Sequence, residues 1–400
     1  MTKKDGELVL HNYMDFDDLK DYVKISYELT QDGLVISKGK LPEVSAAPHS
    51  EGKINLKINV PESGKCYLKL IYHLKKELLL LDEDHILGFD EIEVSKDGAK
   101  CKLAEKWLQK TAVDSELQVN ENDTQIHIKG REFAYTIDKR TALFTEMKFA
   151  GREYLNHPME LNIWRAPTDN DMYIKSEWKK AHYDKAYTRA CTTEVVQGKH
   201  GVKITSHASV VAETVQKILD VTITWKIEAA GKIDADIEVT KDDEFPDLPR
   251  FGVRMFLDKK LSAARYFGMG PQESYCDKHQ AASHGLYQAN VDDLHEDYIR
   301  PQENGSHYDC EYVELNNSRY GIVLSAENAF SFNASYYTQE ELEEKTHNYE
   351  LTESDSVVFC VDYALNGIGS NSCGPVVLEQ YRFDDALFRF QFTLIPYIKG

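Results

Sequence analysis

Apolar residues fall at every second position over long stretches of this chain, the period of strands that bury one face. Val221, Ile223, Trp225 and Ile227 alternate with polar neighbours, as do Ile233, Ala235, Ile237 and Val239. Near the end, Phe388, Phe390, Phe392 and Leu394 share one side and Arg389, Gln391 and Thr393 the other. Earlier, Ile54, Leu56, Ile58 and Val60 alternate, and so do Leu68, Leu70, Tyr72 and Leu74, with Asp32-Gly33, Pro48 and Pro61-Glu62-Ser63-Gly64 as turns between runs. An all-β chain is the prediction, interrupted twice. Thr338-Gln339-Glu340-Glu341 reads as a capping box: the threonine oxygen accepts from the Glu341 backbone and the Glu341 side chain reaches back, which predicts a helix from Gln339 to about His347. Ser176 to Tyr187 reads as a second helix, with Trp178, Ala181 and Tyr183 loosely on one face.

The pattern fades from Ala104 to Asp114, which predicts a linker. On that division residues 1–106 form a sandwich of about a hundred residues, and residues 115–400 form a much larger unit of two packed sheets. An apolar fraction of 42% suits globular cores, and 23 tyrosines with 16 phenylalanines favour pleated faces. The formal charge of -20 repels phosphate backbones and anionic lipid heads, so nucleic acid and membrane surfaces are poor partners. No apolar run has the length of a membrane helix, and Met1 to Leu10 lacks the apolar stretch of a secretory signal. The seven cysteines are scattered without C-x-x-C spacing, as free thiols in a reducing compartment would be, so a cytoplasmic location is expected.

Several segments stand out by their chemistry. Leu161-Asn162-Ile163-Trp164-Arg165-Ala166-Pro167-Thr168-Asp169-Asn170-Asp171 runs an apolar stretch and a Trp-Arg pair into an acidic proline turn. After it come Leu248-Pro249-Arg250-Phe251-Gly252, Gly268-Met269-Gly270-Pro271-Gln272-Glu273-Ser274-Tyr275, Glu303-Asn304-Gly305 and Gly367-Ile368-Gly369-Ser370-Asn371-Ser372-Cys373-Gly374-Pro375. Any one could arise by chance. In this order they resemble the C-terminal β-sandwich domain, the small-chain domain, of the large β-galactosidases of glycoside hydrolase family 2. Tyr27-Glu28-Leu29, Asp32-Gly33, Gly39 and Ala47-Pro48 resemble, more weakly, the immunoglobulin-like domain that precedes it there. The resemblance implies an immunoglobulin-like β-sandwich followed by a galactose-mutarotase-like supersandwich.

What the resemblance leaves out matters as much. A retaining glycosidase flanks the scissile bond with two carboxyl groups about 5–5.5 Å apart, and in the family both come from a catalytic barrel, the acid in an Asn-Glu pair and the nucleophile in a Glu-Tyr context. Here Val119-Asn120-Glu121-Asn122 reads as polar linker and Phe89-Asp90-Glu91-Ile92 as a short strand, so no catalytic residue is assigned. Asp169 and Asp171 read first as turn carboxylates that accept backbone hydrogen bonds and second as a pair that could bind a cation or a sugar hydroxyl, with Arg165 as a guanidinium able to clamp them in two-pronged fashion. Glu273 and Tyr275 follow a glycine-proline turn that lacks the context of a dinucleotide site and read as interface or carbohydrate contacts. Asn371, Ser372 and Cys373 lie in a small-residue loop that the resemblance places at the active-site mouth, on the leaving-group side. Some relatives stack the leaving sugar on a tryptophan of the last strand; Pro396 or Tyr397 stands there in this chain. The histidine groups at Lys278-His279 with His284, and at His295 near Asp292 and Asp293, lack ligand spacing, so no metal is expected in this chain. Mg and Na are expected in the barrel of the complete enzyme.

The expected function is therefore a non-catalytic small subunit or C-terminal portion of a β-galactosidase, with a barrel-bearing large chain as partner and terminal β-galactosides of the lactose type as substrates of the whole. The beginning at Met1, just before the immunoglobulin-like segment, fits a break after the barrel. The docking surface is expected to be lined by Trp164, Arg165, Asp169, the Gly268–Tyr275 loop and the Asn371–Pro375 loop. Two other readings stay open: a stand-alone carbohydrate-binding module, and a mutarotase-like epimerase, which would need a base and histidines converging on an anomeric centre.

Overall fold

The computed structural model describes residues 1–4, 7–54, 56–108, 117–369 and 376–399. Its contacts divide the chain into two compact units, Met1–Glu105 with His284–Leu286, and Lys106–Ser283 with Tyr287–Gly400. Strands dominate both, as the alternation predicts.

In the first unit a three-stranded antiparallel sheet, ordered Thr2–Lys4, Glu7–His11, Glu51–Ile54, is accompanied by a four-stranded one, ordered Leu34–Lys40, Val23–Gln31, Cys66–Leu74, Ile86–Glu93. Leu10 and Ile54 from the first sheet pack with Ile25, Leu68 and Leu70 from the second, which gives the two-layer core of an immunoglobulin-like sandwich. Asp32 and Gly33 both take positive φ, 49° and 80°, the backbone of the two-residue hairpin turn that Asp-Gly favours. Gly39 lies opposite Tyr27, and a Cβ there would come within 2.8 Å of the tyrosine ring, so the glycine lets the ring lie across the neighbouring strand. The alternation at Leu56, Ile58 and Val60 does not continue the strand, because the ladder ends where Ile54 meets Leu8. Leu56 and Ile58 still pack on the core.

The second unit opens with a five-stranded antiparallel sheet, Gln118–Glu121 to Arg152–Glu153. A larger antiparallel sheet faces it. Its main path runs Leu155–Asn162, Arg250–Asp258, Ser356–Leu365, Tyr320–Ser335, Leu387–Ile398, Ile233–Lys241, Leu219–Glu228, Gly201–Val211, Tyr187–Gln197. One core unites the two, with Ile128, Tyr135, Phe144 and Met147 meeting Ile223, Trp225, Ile237 and Phe392. Trp225 donates from Nε1 to the Ala142 carbonyl at 2.8 Å, so its buried polar atom is satisfied. Val221, Ile223, Trp225, Ile227 and the Phe388–Leu394 series are all buried, in the phase the sequence predicts.

Three expectations need correction. The stretch expected as linker from Ala104 begins inside a helix, Lys102–Leu108, with Ala104 buried; its remainder, 109–116, lies outside the described residues. The helix expected to reach His347 is Gln339–Glu344. Thr338 Oγ1 accepts from Glu341 N at 3.1 Å, yet Glu341 Oε1 accepts from Thr352 N at 2.8 Å, a donor that the returning chain supplies. The region expected as one helix from Ser176 to Tyr187 is a helix, Ile174–Lys180, and a short 3-10 turn, Tyr183–Lys185, separated by His182 at φ 57°.

Candidate functional site

The acidic turn after Trp164 is built around Arg165, which is fully buried. Its Nε donates to Asp171 Oδ2 at 3.1 Å and its Nη2 to Oδ1 at 2.7 Å, the two-pronged clamp expected of this pair. The remaining donors reach another part of the chain: Nη1 to the Asn366 carbonyl at 2.5 Å and Nη2 to that of Gly367 at 3.2 Å. Asp171 also accepts from Thr168 N at 2.9 Å, and Asn170 Nδ2 donates to the Ile368 carbonyl at 2.6 Å. From the opposite side, Asp277 accepts from Ile368 N at 3.0 Å and from Gly369 N at 2.7 Å. A Cβ on Gly367 would fall 2.6 Å from Asp277 Oδ2, so the Gly-Ile-Gly sequence admits the carboxylate that holds it.

A second buried arginine extends the knot. Arg250 donates from Nε and Nη2 to the two oxygens of Asp362, at 2.9 and 2.6 Å, and from Nη1 to Glu303 Oε1 at 3.1 Å. All three groups are shut away from solvent. Burial pushes the Glu303 carboxyl above its ordinary range, and the nearby Arg250 charge offsets only part of that. Glu303 N donates to the Ala166 carbonyl at 3.0 Å and Asn366 N to that of Pro249 at 3.0 Å. Glu273 accepts from Gly305 N at 2.9 Å and is gripped by Lys278 and Tyr298. Ser274 N donates to the Ser306 carbonyl at 2.7 Å, while Tyr275 packs with Leu365 and Ile368. The five segments singled out in the sequence therefore meet in one hydrogen-bonded cluster, though they are far apart along the chain.

That convergence changes the role of several candidates. Trp164, Arg165 and Tyr275 are buried inside this chain, so their side chains do not line the expected docking surface, and the sugar or interface candidates Asp171 and Pro396 are buried as well. Arg165 and Asp171 can be buried because each neutralises the other and their remaining donors and acceptors are taken up by Thr168 and by the Asn366 and Gly367 carbonyls, which offsets the cost of removing both charges from water. Trp164 is held from within: its Nε1 donates to Glu343 at 3.2 Å and its ring meets Trp178 edge-on. Glu273 is committed to its lysine, tyrosine and backbone partners. Asp169 is exposed, with its backbone N donating to Gln302 Oε1 at 3.0 Å. Asn371, Ser372 and Cys373 lie outside the described residues. Sequence reading missed Asp277, Gln302, Asp362 and Asn366, which bind the cluster from other strands and loops and carry no local pattern. Among the described residues no group of histidine, cysteine and carboxylate side chains could hold a metal, and no helix is long and apolar enough to cross a membrane. Chemically the cluster is a scaffold: its arginines and buried carboxylates are consumed by one another, and what it fixes is the backbone at Ala166 and from Asn366 to Gly369.

Comparison with known proteins follows this geometry. Residues 129–394 match the family described as beta galactosidase small chain, and residues 8–95 match beta-galactosidase domain 4. A beta-galactosidase of Actinobacillus pleuropneumoniae is 42% identical over 393 residues, covering 98% of this chain and 38% of the relative. One of Staphylococcus xylosus is 31% identical over 399 residues, covering 98% and 39%. The chain thus spans about two-fifths of the length of these curated relatives. Among solved structures, a galactose 1-epimerase from Lactobacillus acidophilus overlaps 72% of this chain and 100% of its own at 7% identity and a TM-score of 0.39, too low to carry an argument.

Proposed function

The chain belongs to the β-galactosidase small-chain family, and we propose that it is the non-catalytic small subunit or C-terminal portion of a β-galactosidase. It docks on a barrel-bearing large chain and completes the leaving-group side of a site that hydrolyses terminal β-D-galactosides of the lactose type. Both carboxylates of a family 2 glycoside hydrolase, and the Mg and Na sites, belong in this reading to the barrel. The observation that carries it is the coverage: the likeness runs through 98% of this chain but only 38% of the relative, so the relative holds a large portion to which nothing here corresponds.

In this assembly the buried cluster positions and the exposed loops touch. Asp169, which is exposed, faces the partner or the galactoside, while Trp164, Arg165, Asp171, Glu273, Tyr275 and Pro396 support that face from beneath; Asn371, Ser372 and Cys373 keep the leaving-group role that the resemblance implies. The Arg165 clamp matters because it fixes the Asn366 and Gly367 carbonyls, and with them the start of the small-residue loop. A cytoplasmic setting suits the free cysteines found among the described residues.

The test is complementation. The purified chain alone is expected not to turn over a nitrophenyl galactoside, and mixing with a matching barrel-bearing chain is expected to restore hydrolysis. Turnover by the isolated chain, or a mixture no more active than the barrel chain by itself, would overturn the reading.

A further inference from the structure

Two β-bulges in the second unit open on the same cavity. Where Ser306–Asn316 pairs with Tyr320–Ser335, His307 faces Phe332 and Cys310 faces Phe330, so Tyr308 and Asp309 together oppose Ser331. Asp309 sits at φ 54°, a conformation Asp tolerates better than most residues. In Ser356–Leu365, Gly252 faces Asp362 and Phe251 faces Ala364, which leaves Tyr363 as an extra residue. Bulges re-aim side chains and are over-represented beside binding sites. Here Tyr308, Asp309, Ser331 and Tyr363 all line one cavity of about 320 Å³, which Tyr381, Arg382 and Asp385 close from the segment before the last strand.

Among the described residues, the charged groups that the segment contributes are only partly used. Arg382 uses its Nε on the Val377 carbonyl at 3.0 Å; among the described residues its terminal nitrogens and the Asp385 carboxylate have no hydrogen-bond or ion-pair partner. Among the described residues the Tyr381 ring has no aromatic partner, whereas Tyr363 lies against Phe388 at 4.9 Å and Tyr308 against His279 at 5.8 Å. A cavity-lining ring beside a carboxylate without a partner and a guanidinium with donors to spare suits a ligand with an apolar C–H face and a rim of hydroxyls. Asp309 and Asp385 disfavour an anion, Arg382 disfavours a cation, and the volume lies at the small end of ligand pockets, which start at about 300 Å³.

We propose that this cavity is a saccharide site that takes a single hexopyranose unit, with Tyr381 under the sugar's apolar face and Asp385 and Arg382 on its hydroxyls. The site is independent of the small-subunit reading, since its lining comes from this chain alone. The unit is either a free monosaccharide or the end of an oligosaccharide, and both enter the test. The whole chain, with no partner, is titrated with galactose, glucose and lactose, with myo-inositol as a polyol control, by calorimetry and ligand-observed NMR. Saturable binding of at least one sugar is expected, lost on Asp385→Asn and on Tyr381→Ala by about tenfold or more each and less affected by Tyr308→Phe; near-UV circular dichroism verifies that each variant is folded. Lactose binding without monosaccharide binding would assign the site to oligosaccharide ends, still as proposed. No saturable sugar binding, equal binding of myo-inositol, or affinity unchanged in both Asp385→Asn and Tyr381→Ala would overturn it. Because the readout is binding by the isolated chain, its failure leaves complementation untouched, and the reverse.

Discussion

In the buried cluster and on the outer face of the last strand, an arginine grips an aspartate in the same way. Arg250 reaches both oxygens of Asp362 at 2.9 and 2.6 Å, and Arg389 reaches both oxygens of Asp236 at 2.7 and 2.5 Å. The surroundings differ. Arg250 and Asp362 are wholly buried, while Arg389 keeps 52% of its side chain exposed and Asp236 21%. In water the exposed pair exchanges one set of good partners for another, so its net worth is small. The buried pair has no such exchange, and removing one member strands a charge where nothing can solvate it. Identical geometry therefore supports two roles: surface trim in one region, and in the other the joint that ties the family's sequence segments together.

Arg250→Ala should test this contrast most severely. Loss of the buried guanidinium is expected to cost about 3–5 kcal/mol, read as a fall in the denaturant midpoint; a cost under about 1 kcal/mol would erase the distinction. Arg165→Ala should follow at about 3 kcal/mol, since it strands Asp171 and removes the donors to the Asn366 and Gly367 carbonyls. A variant as stable as the parent that only weakens complementation would restore Arg165 to an exposed docking role.

Protonation sharpens the comparison from another side. Burial lowers the His307 imidazole from 6.5 to about 4, so its neutral form supports the fold above pH 6.5 and that support drains away as pH falls towards 4. His307→Phe should flatten stability across that window in pH-dependent chemical denaturation, and an unchanged slope would show that other groups cause it. Glu303 works in the opposite sense. Its raised folded pKa gives support that is complete below about pH 4.5 and is lost as pH rises through the folded value. Glu303→Gln should therefore remove that loss and be tolerated at neutral pH, whereas a marked fall in neutral stability would mean the carboxylate is needed charged beside Arg250. Smallest of all, Arg389→Ala should cost under about 1 kcal/mol and shrink further in high salt; a larger, salt-insensitive loss would contradict the screening argument.

Much of the fold was legible along the chain because strand burial is a local, two-residue signal. Trp225 and Phe392 could be assigned to the core face from their neighbours alone. The capping threonine was readable for the same reason, but its partner was not: whether Glu341 turns back to Thr338 or outward to Thr352 depends on a segment that returns eleven residues later. Leu56 and Ile58 kept the alternation without keeping a strand, since a ladder also needs a partner of sufficient length.

By itself, then, the sequence determined the all-β class, the phase of the main strands, the Asp-Gly hairpin and the set of segments that mark the family. Each is written in residues close together, where periodicity, turn chemistry and residue type act directly. Tertiary structure alone decided that those segments meet, that Trp164 and Arg165 face inward, and that two bulges from different strands open on one cavity. Those outcomes rest on register and on partners tens to hundreds of residues away: Arg165 is committed to the Asn366 carbonyl and Arg250 to Asp362, and the burial that sets the strength of both contacts exists only once the sheets have closed over them.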